Sequence, residues 1–447
     1  MADGWRAVLF GATRGGRRRR LFALLLLGVL FTAVAPAAVT PWIATPASAL
    51  PATTPLAAAR ATSDATLKTF DACLRSLRST PYMRTRDDID WEALARDWRP
   101  RADAAEPGAE LRAVLNEMVA EVGASHAAVL SGPIYRSMMN ELAGKPSPTY
   151  GVLLEEMVDG RLFVRALFEK GPGERAGLRI GDELVAVDGE AALASENVVD
   201  AGYDPGDSSS RLFTLRTGAA GESLALTLRR EVRGELDTVP IVSEATSGLE
   251  SGRRSLKVVR RDGRRIGYVH LWMVARGSAE FLAEALRGPL ARCDALVVDL
   301  RGRGGFADEI PGLLEPFRAA KVRGPLRGGA AWRKPVAFLI DDRTRSAKEI
   351  LAWHVREERL GLLIGERTEG AVLGAGFFPL PGGHYLEAPM MEVPVGDGSS
   401  LEGVGVEPTE AVERAGPFAS GRDPLLERAL LRLGEKLAGT ARRRGPY

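Results

Sequence analysis

The chain is 447 residues long and 45% hydrophobic, enough to bury two or three separate cores, which excludes a small disulfide scaffold and a disordered tail. Its 60 basic and 58 acidic residues leave a net charge of +2, a balance that gives no argument for nucleic acid or for an acidic partner. Cys73 and Cys293 lack metal-ligand spacing and neighbouring histidines, so they read as structural thiols or, failing that, as one long-range disulfide.

In chain order, Arg14 and Arg17 to Arg20 precede an apolar run from Leu21 to Val39, and small residues then lead to Ala47-Ser48-Ala49. That is the order of a basic flank, an apolar segment and a small-residue cleavage site. Residues 1–49 therefore read as a signal peptide or a retained N-terminal membrane anchor. Arg19-Arg20-Leu21-Phe22 also fits a twin-arginine export signal, although a plain basic flank explains it equally well. Either way the body of the protein is expected outside the cytoplasm: periplasmic, extracellular, or anchored to the outer face of the membrane. Residues 50–62, rich in Pro, Ala and Thr, read as a linker.

Residues 63–147 carry helical periodicity, with Leu67, Phe70, Leu74 and Leu77 on one face and Leu111, Val114, Leu115, Met118 and Val119 on another. A helical subdomain follows from these faces, and Ser125 and His126 come just after its second helix. From 148 to 232 the texture changes to short alternating runs: strands at 151–154 and 162–164, a break at Gly171-Pro172-Gly173, a run over 180–189 whose strand is closed by the Asp188-Gly189 turn, and further strands at 211–216 and 224–230. Residues 233–255 read as a polar linker. From 256 to 420 strands at 266–270, 295–300, 336–340 and 362–364 alternate with helices at 278–287 and 346–356, the pattern of an α/β core with a partly parallel sheet. Residues 421–447 read as a C-terminal helix with a basic tail. The expected fold class is thus an α/β core with a helical N-terminal subdomain and an inserted, mostly-β domain.

Reactive groups in such cores sit where strands end and helices begin. Ser346 follows the apolar strand 336–340 and opens a helix, where a side chain is presented outward and the next amide, that of Ala347, is left without an intrahelical partner. The same residue, or Thr344, equally suits plain helix capping. Gly304 and Gly305, beyond the strand 295–300, can turn amides toward a developing oxyanion or simply turn the chain. Of the four histidines, His270 lies in a strand, His354 in a helix and His384 beside a turn. Only His126 occupies a loop with a hydroxyl neighbour, Ser125, and a surface role for it stays open.

Taken together, the motifs resemble the tail-specific or C-terminal processing peptidases (family S41), and more closely their tricorn-core-like branch, over about residues 63–435. The matching segments are Val122-Gly123-Ala124-Ser125-His126, Thr344-Arg345-Ser346-Ala347-Lys348-Glu349-Ile350, residues 360–368, and Glu402-Gly403-Val404-Gly405-Val406-Glu407-Pro408. The resemblance implies a serine peptidase with Ser346 as nucleophile, His126 as base, and Ser125 and Glu402 behind it. Ala347 with Gly304 or Gly305 would form the oxyanion hole, and no metal or organic cofactor is required. It also implies that 148–232 is a PDZ-like domain taking polypeptide substrates, possibly by a free C terminus, through strand addition from Gly151 and Val152. Self-association stays open.

Several positions depart from that pattern. Ala371 stands where the sister branch has its catalytic lysine, and Lys348, two places beyond Ser346 on a helix, does not share its face. Arg303 and Phe306 flank the glycines, Glu369 and Ala371 replace Trp and Gly, and Thr409 replaces Asp. The alternative is therefore a catalytically inactive peptide-binding or scaffold protein of the same fold, with a hydrolase of small esters or amides as a third reading.

Overall fold

A computed structural model describes residues 55–201, 211–319 and 331–443, so the signal or anchor expected at 1–49 lies outside the described residues. Residues from Ser63 onward form one compact unit. No helix among the described residues is long and apolar enough to cross a membrane.

The helical layer holds α1 (Pro55–Ser79), α2 (Trp91–Ala104) and α3 (Ala109–Ala120). Asp90 starts α2 by accepting the amides of Glu92 and Ala93, as the helix's orphan donors require. The predicted apolar faces meet in one core of Phe70, Leu77, Leu111, Leu115, Met118 and Val119. What the periodicity does not announce is that this core also includes Leu386 and Ala388. Strand β1 (Ala128–Ser131), just past His126, pairs antiparallel with β18 (His384–Met391), which pairs with β17 (Gly374–Leu380). A late hairpin is thereby bound to the N-terminal helices, with α4 (Gly132–Leu142) packed beside it.

Two short strands, β2 (Ser147–Thr149) and β11 (Glu244–Thr246), pair antiparallel and close the stem of the β-rich insertion. The insertion's sheet runs β10-β9-β5-β4-β3-β8-β7. Its strands are β3 (Val152–Glu156), β4 (Leu162–Leu167), β5 (Glu183–Val187), β6 (Glu190–Ala191, paired to β5), β7 (Val198–Asp200), β8 (Leu212–Leu215), β9 (Ser223–Arg229) and β10 (Leu236–Val242). Residues 233–255 are not the bare linker expected from their polarity. They hold β10, β11 and helix α5 (Gly248–Ser255). Strand β10 is an edge with Leu236 and Val242 exposed, and an edge strand with one solvated face carries little apolar signal.

The α/β core is a six-stranded sheet ordered β12-β13-β14-β15-β16-β19. Strand β12 (Lys257–Arg261) is antiparallel to β13 (Arg264–His270), while β13, β14 (Ala295–Asp299), β15 (Val336–Ile340), β16 (Leu362–Gly365) and β19 (Glu410–Ala411) run parallel. Every residue of β14 and β15 is buried, as two covered faces demand. Side chains alternate between those faces. Leu296, Val298, Phe338 and Ile340 pack under α6 (Ser278–Arg287), α7 (Ile310–Ala319) and α8 (Ala347–Glu357). Ala295, Val297, Ala337 and Leu339 pack under α9 (Pro424–Arg443) through Leu425, Ala429 and Leu433. Both cysteines are buried and free, which removes the disulfide alternative.

Candidate active site

The carboxyl ends of β14 and β15 face the same region, and the site is assembled there. Ser346 sits between β15 and α8 with φ 54° and ψ −126°, a left-handed conformation that costs a non-glycine residue energy and holds only where its surroundings enforce it. Those surroundings are visible. The Ser346 amide donates to the Ala371 carbonyl at 2.8 Å and to Glu349 Oε2 at 3.1 Å. Glu349 is fully buried, and its carboxylate also accepts from Thr368 Oγ1 (2.6 Å), Gly370 N (2.7 Å) and Ala371 N (2.8 Å). Burial raises its pKa while these donors oppose the rise. Sequence reasoning assigned Glu349 no role, although Ser346-Ala347-Lys348-Glu349 carries the Ser-x-x-Glu spacing of a capping box that would have found it.

The glycine loop lies against the serine. A Cβ built on Gly304 would fall 2.5 Å from Ser346 Cβ and 3.2 Å from its Oγ, so only glycine fits. At Gly305, φ is 143° and a Cβ would fall 2.2 Å from the Val274 carbonyl oxygen, which again excludes any side chain. The loop is pinned by Val274 N to Gly304 O (2.9 Å) and Phe306 N to Val274 O (2.8 Å). Asp341 ties it to the serine turn by accepting Gly302 N and Thr344 Oγ1. The amides of Gly304, Gly305 and Ala347 donate to no group among the described residues.

His126 reaches this region from the helical layer. Ser125 Oγ donates to Glu402 Oε2 at 2.9 Å and lies 2.9 Å from His126 Nδ1. The hydroxyl has one proton and the carboxylate takes it, so the imidazole bond is Nδ1–H donating to Ser125 Oγ, which leaves Nε2 with a free lone pair. Glu402 also accepts Ser125 N at 3.0 Å and Val372 N at 2.9 Å. Ala371 therefore holds Ser346 and its neighbour Val372 holds Glu402: one two-residue stretch joins the nucleophile turn to the Ser125–His126 pair. Burial, then the charge of nearby Arg345, pushes the His126 pKa well below its ordinary value. Arg345 itself pairs with Glu369 at 3.3 Å.

The other histidines are engaged elsewhere, His270 with Glu169 at 2.7 Å and His354 with Glu358 at 2.9 Å, while His384 opens β18. Lys348 is wholly buried, with Nζ donating to the carbonyls of Trp272 and Arg301 at 2.9 Å each, and burial pushes its pKa down to about 7. It braces α8 against the glycine loop. A cleft of about 580 Å³ in the helical layer, lined by Arg75, Arg78, Arg84 and Trp91, contains none of the groups named above.

Strand addition from Gly151 and Val152 needs an unpaired edge, whereas β3 is paired on both sides, with β4 and with β8. Thr214 Oγ1 of β8 donates to Val152 O at 3.0 Å, and the Gly151 amide is taken by Thr149 Oγ1 at 3.0 Å. The residues that fill this edge lie far along the chain, where local patterning does not reveal their pairing.

The site thus joins a strained serine at a strand-to-helix turn, a glycine loop against it, and an imidazole oriented by Ser125 and Glu402 and linked to the serine turn through Val372 and Ala371. Residues 265–412 match the family described as Peptidase family S41, and the chain is a homologue of those peptidases. It is 28% identical over 389 residues to "Tricorn protease homolog 1" of Streptomyces coelicolor, covering 81% of this chain and 34% of that one. It is 25% identical over 280 residues to "Carboxy-terminal processing protease CtpB" of Bacillus subtilis, covering 59% and 55%. The chain thus spans about a third to a half of the length of these relatives. Among solved structures, mature CPAF complexed with lactacystin is 14% identical with a TM-score of 0.51, covering 84% of this chain and 98% of that chain, a likeness of fold alone.

Proposed function

We propose that the protein is an exported serine endopeptidase or C-terminal processing peptidase that cleaves polypeptides through an acyl-enzyme. Ser346 Oγ attacks the scissile carbonyl carbon as His126 Nε2 takes its proton. The tetrahedral oxyanion is held by the Ala347 amide and by Gly304 or Gly305. The imidazolium then gives its proton to the leaving amine, and a water activated by the same nitrogen hydrolyses the ester and restores Ser346. Ser125 and Glu402 fix the tautomer and stabilise the charge that forms on His126. The low pKa of His126 suits this role, because a neutral base is present across the physiological range.

The observation that carries the reading is the Ser125 hydroxyl between Glu402 and His126 Nδ1, joined through Val372 and Ala371 to the strained Ser346. Export rests on the basic and apolar residues 14–39. The test is a mutant cycle. Ser346→Ala should abolish cleavage of an unfolded protein while preserving the thermal transition, and His126→Ala should be nearly as damaging. The double variant should be no worse than either alone, since the residues act as one unit. Undiminished peptide-bond cleavage by Ser346→Ala would overturn the assignment. A well-folded wild-type protein that binds polypeptides but cleaves none would establish the inactive scaffold instead.

A further inference from the structure

The edge of β3 that strand addition needs is filled by the chain's own strand β8, which runs antiparallel with Leu153 opposite Thr214, Leu154 opposite Phe213 and Glu155 opposite Leu212. Phe213 and Leu215 are buried in the same core as Val152 and Leu154, while Thr214, between them, bonds the Val152 carbonyl. These are the contacts an added peptide strand makes: main-chain pairing plus pockets for alternate side chains. Strand β8 pairs with β3 at three positions and β7 with β8 at three, whereas β9 and β10 pair at seven, so the hairpin is the lightly held end of this sheet. The hairpin also reaches the candidate active site. The Ala201 amide donates to Leu212 O at 2.9 Å, and the Ala201 carbonyl accepts Arg303 Nη2 at 3.4 Å, from the residue preceding Gly304.

We propose that β8 is a built-in occupant of the peptide-docking edge, and that polypeptides enter by displacing it. The proposal rests on the peptidase reading above and deepens it by naming a substrate class. Whatever takes the place of β8 must refill the two pockets that Phe213 and Leu215 vacate, and side chains two apart share one face of a strand. The segment recognised is therefore extended, with an aromatic or aliphatic residue at each of two positions separated by one small or hydroxylated residue.

Leu153 and Thr214 are directly opposite, within the span a disulfide bridges, and Cys73 and Cys293 are buried and will not compete. In the full chain carrying Ser346→Ala, the pair Leu153→Cys and Thr214→Cys locks β8 when oxidised and releases it when reduced. The probe is a fluorescein-labelled peptide ending in Leu-Phe-Thr-Leu, with a control in which Phe and the last Leu are Ser, read by anisotropy. The reduced protein should bind the apolar peptide at least about tenfold more tightly than the oxidised protein does, and at least about tenfold more tightly than it binds the control. Thr214→Pro, which removes an amide from the β8 ladder and the Oγ1 bond to the Val152 carbonyl, should by itself raise affinity at least about threefold. Equal affinity in the two redox states, no binding to the reduced protein, no discrimination against the control, or no gain with Thr214→Pro would each overturn the proposal. Binding is read without cleavage, so an absence of proteolysis in the Ser346-intact protein would sink the peptidase reading and leave this result standing on its own.

Discussion

Glu349 is the least conspicuous member of the candidate site and the most exposed to a conservative change. Its two oxygens accept from four donors, Thr368 Oγ1 and Gly370 N on Oε1 and Ala371 N and Ser346 N on Oε2. Glu349→Gln keeps the shape but converts one oxygen to an NH2 group. With the remaining oxygen on the Thr368 side, that NH2 points at two N–H donors. The Ser346 amide retains the Ala371 carbonyl, but the Ala371 amide has no other acceptor. An orphaned buried donor costs about 1–3 kcal/mol, and the misdirected NH2 a similar amount, so the variant should lose about 2–6 kcal/mol of stability. That is a large share of the roughly 5–15 kcal/mol typical of a folded domain. Because Ala371 also anchors Ser346, a displacement near 1 Å should lower kcat by about 100-fold with little change in KM. Urea unfolding gives the first quantity, and the rate of Ser346 labelling by a fluorophosphonate gives the second. Unfolding free energy within about 0.5 kcal/mol of wild type together with an unchanged labelling rate would refute the argument.

Three further changes probe the same site. Gly304→Ala places a methyl group against Ser346 Cβ and should cut kcat by about 100-fold, read by peptide hydrolysis under saturating substrate; a change under about threefold would separate the glycine loop from the nucleophile. Arg345→Met removes a positive charge that disfavours the imidazolium, so the His126 pKa should rise toward its ordinary value of 6.5 and the acid limb of kcat/KM should move to higher pH, only in part because burial is the larger cause. Lys348→Ala leaves two buried carbonyls without their donor and should destabilise by about 2–5 kcal/mol, although nothing in the sequence marks it as more than a helix residue. Its pKa of about 7 lies below the ordinary 10.5, so between those values the unfolded chain binds more protons than the folded one. The wild type should therefore gain stability over Lys348→Ala as pH rises through that window, by up to about 1.4 kcal/mol per pH unit. A pH-independent difference in urea unfolding would contradict that sign.

What could be read in the sequence was what local pattern encodes. The apolar runs of β14 and β15, the strand-to-helix turn at Ser346 and the glycine loop after β14 all announce themselves within a few residues. So did the helical faces around Phe70 and Leu115. Long-range pairing was not legible. Nothing near Ala128–Ser131 says that its partner is His384–Met391, yet that register is what brings the residues after α3 beside Glu402. Likewise β8 is locally a good strand, but only its pairing with β3 reveals that it fills the edge assigned to a substrate. The burial of Lys348 was hidden for the opposite reason: a lysine on a helix reads as solvated until its carbonyl partners from two other segments are in place.

The position of Ala371 links these observations to the choice of base. Its amide is bound to Glu349, its carbonyl to Ser346, its side chain is 2% exposed, and the next amide is bound to Glu402. A long cationic side chain at 371 would have to enter this packed junction, so a lysine base there would displace the groups that hold Ser346 in its strained conformation. With that route closed, the proton acceptor has to arrive from another layer of the molecule. In the proposed reading the helical layer supplies it, and the β1–β18 pairing is the means, because it fixes the loop carrying Ser125 and His126 to a hairpin that begins two residues after Val372. In the proposed mechanism the base is thus only as well placed as that hairpin is rigid. Substitutions that loosen β1 from β18, far from any reacting atom, should lower kcat in proportion to the motion they allow, whereas the same degree of loosening at the opposite edge of the core, between β12 and β13, should not.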